Sequence, residues 1–111
     1  MNKAYDRDKL VELFGDDLET LAEVEREFLD TARDAANEID ATDDLPTIAR
    51  AAHRLKGASG MIGAEALRGI AEAVERAAKA SDLTGVRNMH DVFHVEVRRV
   101  ADQVGLAAEG D

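Results

Sequence analysis

Apolar residues recur at three- and four-residue steps through most of this chain. From Leu18, the run Leu18, Leu21, Val24, Phe28, Ala32, Ala35, Ile39 keeps one face apolar, which predicts a long amphipathic helix to about Asp40. Upstream, residues 6–14 (DRDKLVELF) carry a shorter helical pattern that stops at Gly15. Asp16 and Glu19 then fit a capping box, as N-cap and N3 of the long helix. Ala41-Thr42-Asp43-Asp44 marks a turn, and Pro46 suits the first turn of the helix after it.

That next helix is predicted from about Leu45 to Ile62, with Ile48, Ala51, Leu55, Ser59 and Ile62 on one side and Gly63 as a left-handed cap. A further helix, from about Glu65 to Ala80, carries Leu67, Ile70, Val74 and Ala77. Ser81 or Asp82 caps a last helix whose inward stripe is Val86, Met89, Phe93, Val97, Val100 and Val104, and the tail LAAEGD is expected to fray. No segment alternates with strand periodicity, and no internal repeat is visible. Long amphipathic helices joined by short connections predict an all-α fold: an antiparallel up-down four-helix bundle with a short additional N-terminal helix. Residues 1–111 are read as one domain.

Composition agrees. Hydrophobic residues make up 45% and charged residues 34%, with one Pro and no Trp, so a soluble core is attainable. Acidic residues outnumber basic ones 24 to 14, a net charge of −10. A field of that sign repels phosphate backbones and anionic lipid, which argues against nucleic-acid and membrane partners. The absence of cysteine removes disulfides, thiol chemistry and cysteine-ligated metal. The charged N-terminus MNKAYDRDKL lacks the apolar core of a secretory signal. A cytoplasmic monomer is expected.

One stretch resists the helical reading, AHRLKGASGMIG from Ala52 to Gly63. A helix advances about 100° per residue, so Ala49, Lys56, Gly57 and Gly60 fall within about 60° of His53. Leu55, Ile62, Ile48 and Ser59 cluster opposite, on the core side. His53 therefore points outward, with Lys56 and Gly57 one turn on. Each interior glycine costs about 1 kcal/mol against alanine, and none is required there by internal packing. The residues describe an accessible imidazole, a cation able to reach an anion built on it, and cleared surface for docking. Arg50, one turn earlier, borders the same surface. A solvated surface histidine near a fraying helix end would present the same residues.

His53-Arg54-Leu55-Lys56-Gly57, followed by Gly60 and Gly63-Ala64, resembles the H-x-L-K-G signature of the histidine-containing phosphotransfer (HPt) domain family. The resemblance spans residues 8–103 and includes an aromatic residue in the preceding helix (Phe28) and a Val74-Glu75 step after the signature. Ser81-Asp82 stands where a Gly-Asp turn is common, read as a trivial change.

Such proteins carry a phosphoryl group from one receiver-domain aspartate to another. The resemblance implies His53 as the phospho-accepting residue, through Nε2, and Lys56 as the charge that neutralises phosphoryl oxygens. It implies receiver domains of response regulators or hybrid histidine kinases as partners. No cofactor is implied on this chain, since Mg²⁺ belongs to the receiver. Ala49, Arg50, Gly57 and Gly60 would form the docking face. Glu75 is the candidate acceptor for Nδ1, with a solvated flanking carboxylate as the alternative.

His90 and His94 have the i,i+4 spacing of a metal pair. No H-E-x-x-H glutamate accompanies them and no third ligand is evident along the chain, so no metal site is assigned. Asp40 to Asp44 lacks the glycine and glutamate of a calcium loop. No phosphate-binding loop or kinase lysine is present, so no kinase activity is expected. The rival function is a helical adaptor that binds a partner through the same face without phosphoryl transfer.

Overall fold

The computed structural model describes residues 4–109, with side chains to Gly105, and among these residues it is all-helical. Helix α1 (Arg7–Phe14) starts at Asp6, whose carboxylate accepts from the Asp8 amide at 3.0 Å, and ends at Gly15 with φ 83°. Helix α2 (Leu18–Ala41) starts one residue later than the capping-box reading required. Asp17, not Asp16, is the N-cap, and its carboxylate accepts from the Thr20 hydroxyl at 2.8 Å. Leu18 is thereby turned to solvent, at 53% exposure, rather than into the core.

Helix α3 (Leu45–Ile62) has the predicted ends. Asp44 caps it through the Thr47 amide, and Pro46 occupies the first turn, where its missing N–H has no partner to lose. Gly63 closes it in the left-handed region at φ 75°. A side chain at Gly63 would also meet Cβ of Asp6 at 2.8 Å, so the site needs glycine twice over.

Helix α4 (Glu65–Lys79) follows after Ala64. Its buried face is Leu67, Ala71, Val74, Glu75 and Ala78, while Ile70 and Ala77 are only half-buried. The predicted stripe is thus rotated by one position, which brings a glutamate inward. Ser81 then takes a left-handed φ of 59°. The Gly-to-Ser change at this turn is therefore not trivial, because serine holds a conformation that favours glycine.

The expected single last helix is two: α5 (Leu83–Asn88), capped by Asp82, and α6 (His90–Glu109). The break falls at Met89, whose amide bonds Val86 at three-residue spacing while its carbonyl accepts from Phe93. Thr84, Gly85 and Asn88 are weak helix formers, and the bend keeps Val86 and Phe93 both buried. Helix α6 continues to Glu109, through most of the tail expected to fray; Gly110 and Asp111 lie outside the described residues.

The core takes Leu21, Phe28, Ala32 and Ile39 from α2, Ile48, Leu55 and Ile62 from α3, Leu67 and Val74 from α4, and Phe93 and Val100 from α6. The α3–α4 pair is the most extensive helix contact. Buried Ala51, Ala52, Ala71 and Ala78 on these two helices suit a close approach of their backbones. No helix among the described residues is long and apolar enough to cross a membrane.

Candidate functional site

Helix α3 lifts His53 out of the bundle at mid-length. Its side chain is 68% exposed, as the angular arithmetic required, because Ile48, Leu55 and Ile62 anchor the opposite face in the core. The neighbouring helix α4 supplies what lies beneath the ring. Glu75 is buried, and its Oε2 lies 2.8 Å from His53 Nδ1.

Two ammonium groups share the same carboxylate. Lys56 Nζ is 2.7 Å from Oε1, and Lys79 Nζ is 3.0 Å from Oε2. The Lys56 hydrogen bond, with help from Lys79 and His53, holds the Glu75 carboxyl down to about 2 from an ordinary 4.5, against the opposing effect of burial. At neutral pH Glu75 is therefore an ionised, acceptor-only group.

The histidine tautomer follows from that charge. A carboxylate can only accept, so Nδ1 carries the hydrogen and donates it to Glu75. In the neutral imidazole the lone pair then sits on Nε2, which has no protein partner among the described residues and faces outward with the exposed edge of the ring. Two lysines against one carboxylate leave one surplus positive charge around the group that holds Nδ1, in a molecule whose net charge is −10.

Lys56 does not swing free. Its side chain is 29% exposed and tied to Glu75, so its charge reaches the ring from a fixed place. Lys79 was missed in the sequence. Its spacing from Glu75, i,i+4 on α4, is the signal that could have found it.

The remaining predicted residues divide. A side chain at Gly57 would meet nothing within 4 Å, so the surface there is open and no contact inside the fold demands glycine. Gly60 is half-buried: Arg68 Cδ lies 3.4 Å from where its Cβ would stand, and its carbonyl accepts from Lys9 Nζ at 2.8 Å. It is flanked rather than bare. Ala49 is half-buried, and exposed Arg50 donates to Thr47 Oγ1 at 3.3 Å. Arg54 turns away to Glu38 at 3.1 Å.

An exposed imidazole with one nitrogen tied and one presented can act as a nucleophile towards an electrophile carried on another macromolecule. The sequence profile of the family described as Hpt domain matches residues 9–105 of this chain. No curated protein and no solved structure gives a significant match.

Proposed function

The chain belongs to the Hpt domain family, and from that premise we propose that it is a phosphorelay intermediate that takes a phosphoryl group on His53 from one receiver aspartate and passes it to another. The observation that carries this reading is the exposed His53 ring, with Nδ1 donating to the buried Glu75 carboxylate. In the forward step the Nε2 lone pair attacks phosphorus, the P–O bond to the donor aspartate breaks, and its electron pair leaves as a carboxylate. The product is a phosphoimidazolium whose Nδ1–H still donates to Glu75. With its carboxyl held near 2, Glu75 stays ionised throughout and opposes the new positive charge instead of taking the proton. In the second step an acceptor carboxylate attacks phosphorus and the P–N electrons return to Nε2.

Both transfers pass through a loose, metaphosphate-like state in which positioning and charge neutralisation supply most of the help. Lys56 and Lys79 supply positive charge beside the ring, and Gly57 leaves clearance for the incoming aspartate pocket. Mg²⁺ resides on the receiver, so this chain needs no cofactor for transfer and has no kinase activity of its own. Residues 1–111 act as one domain, a cytoplasmic monomer without nucleic-acid or membrane partners. Its long helices α2, α3, α4 and α6 alternate in direction as an up-down bundle, an arrangement that the short connections support.

Incubation with a phosphorylated receiver tests the reading. Acid-labile, base-stable label is expected on the chain and is abolished by His53→Gln. Label that persists in the variant would move the acceptor elsewhere. Receiver binding without any label would establish the adaptor function instead.

A further inference from the structure

A second cluster of chemistry-bearing side chains lies where the end of α2 meets the start of α6. Asp40 stands in the last turn of α2, and His90 and His94 occupy the first turns of α6. His94 Nε2 is 2.7 Å from Asp40 Oδ2, and His90 Nε2 is 3.7 Å from the same oxygen. One donor atom from each of the three lies within 4.8 Å of the others. The third ligand that the sequence did not reveal for the histidine pair is thus brought in by folding. The cluster shares no residue with His53, Lys56, Glu75 and Lys79.

We propose that Asp40, His90 and His94 bind a divalent transition metal of the zinc class. Metal–ligand bonds of about 2.0–2.2 Å at tetrahedral angles separate neighbouring donor atoms by about 3.3–3.6 Å. The observed 2.7 and 3.7 Å bracket that separation, so small side-chain rotations suffice. Two imidazoles and a carboxylate are three protein ligands, leaving a fourth position for water. Imidazole nitrogen selects zinc, copper or nickel over magnesium and calcium, which require oxygen.

The surroundings support ligation. Asp91 Oδ1 lies 3.1 Å from His90 Nδ1, a carboxylate partner that fixes the ring tautomer with Nε2 free for metal. The imidazole rings stack at 4.3 Å with a 40° tilt, side by side rather than splayed. Beneath them a small cavity is lined by apolar Ile39, Val74, Val86 and Phe93. Arg87 is the opposing charge, but its guanidinium is engaged by the Ile39 carbonyl at 2.9 Å and by Asp43 at 2.8 Å. The three ligand side chains are 34–49% exposed, which admits an ion from solvent. On binding, the proton that His94 Nε2 shares with Asp40 moves to Nδ1, and the metal takes its place. The metal would tie the last turn of α2 to the first turns of α6, directly after the bend at Met89.

Titration of the chain with ZnCl₂ alone, followed by calorimetry, tests this assignment. One ion per chain is expected, with a dissociation constant on the order of micromolar or tighter. Saturating Zn²⁺ should raise Tm by several degrees, and Mg²⁺ at the same concentration should do neither. His94→Gln and His90→Gln should each weaken Zn²⁺ binding by about tenfold or more, whereas His53→Gln should leave it unchanged. Co²⁺ should develop the visible absorption of a four-coordinate nitrogen and oxygen site. If the parent shows no saturable one-to-one uptake, or either histidine variant binds Zn²⁺ as tightly as the parent, the assignment fails and the cluster is a hydrogen-bonded staple. Circular dichroism of each variant separates lost ligation from lost fold.

Discussion

Glu75 is the residue on which the site turns, since one carboxylate receives His53 Nδ1, Lys56 and Lys79 together. Replacing it with Gln keeps its shape but removes the charge that sets the tautomer of the ring and opposes the phosphoimidazolium. A charged hydrogen bond contributes about 1.5–3 kcal/mol, so Glu75→Gln should slow phosphoryl transfer by about 10- to 100-fold. Stability also acquires a pH signature. The carboxyl titrates near 2 in the folded chain against an ordinary 4.5, so its contribution is complete above 4.5 and is lost as pH falls towards 2. Urea midpoints at neutral pH and at pH 3 should therefore diverge more in the parent than in Glu75→Gln; equal slopes would mean that the cluster adds nothing to folding. The outward ring of His53 was legible in the sequence because one helix suffices to decide it. The contact with Glu75 was only nominated, and Lys79 was overlooked, because angular arithmetic treats one helix at a time and this contact joins α3 to α4.

At the scale of the element, α3 carries a glycine that its own stability does not want. A side chain at Gly57 would meet nothing within 4 Å, so Gly57→Ala should stabilise the fold by about 1 kcal/mol through helix propensity. Gly57→Leu should fold equally well yet weaken receiver binding, because its bulk projects into the open surface beside His53. Denaturation midpoints and receiver affinity, measured on both variants, check this pair of outcomes. Unchanged affinity in Gly57→Leu would remove clearance as the reason for the glycine. The ends of α3 were readable because Asp44, Pro46 and Gly63 are local signals. The break at Met89 and the shift of the α2 cap to Asp17 were not, because the bend answers to burial of Val86 and Phe93 from outside its own segment, and two adjacent aspartates compete for one cap. The rotated face of α4 has the same origin: Glu75 turns inward to meet cations, one of them from α3, that hydrophobic periodicity does not register.

The whole molecule is closed at one end by its first described residues. Ala4 and Tyr5 are buried, and Asp6 donates its amide to the Ile62 carbonyl at 3.2 Å. The Tyr5 hydroxyl donates to buried Glu25, and desolvation together with that carboxylate pushes the phenol up from its ordinary range. None of this was visible in the hydrophobic pattern, which treated the leading segment as a minor appendage. Gln103, on α6, is the clamp. Its side-chain oxygen accepts from the amides of Ala4 at 2.7 Å and Tyr5 at 3.3 Å, and its side-chain nitrogen donates to the Tyr5 carbonyl at 3.1 Å. Gln103→Ala removes three hydrogen bonds to backbone groups that lie on the buried side of the structure. At about 0.5–1.5 kcal/mol each, with partial recovery by water, the loss should amount to about 1–3 kcal/mol. The cost should be local first, because the segment is held by these bonds and the Tyr5–Glu25 pair rather than by a helix of its own. Hydrogen exchange at the Tyr5 amide should accelerate well before exchange in α3, and the urea midpoint should fall. If the Tyr5 amide stayed as protected as in the parent, burial of the phenol ring would be the true anchor. Phosphoryl transfer through His53 should be unchanged, since α3 and α4 hold the site without help from this end.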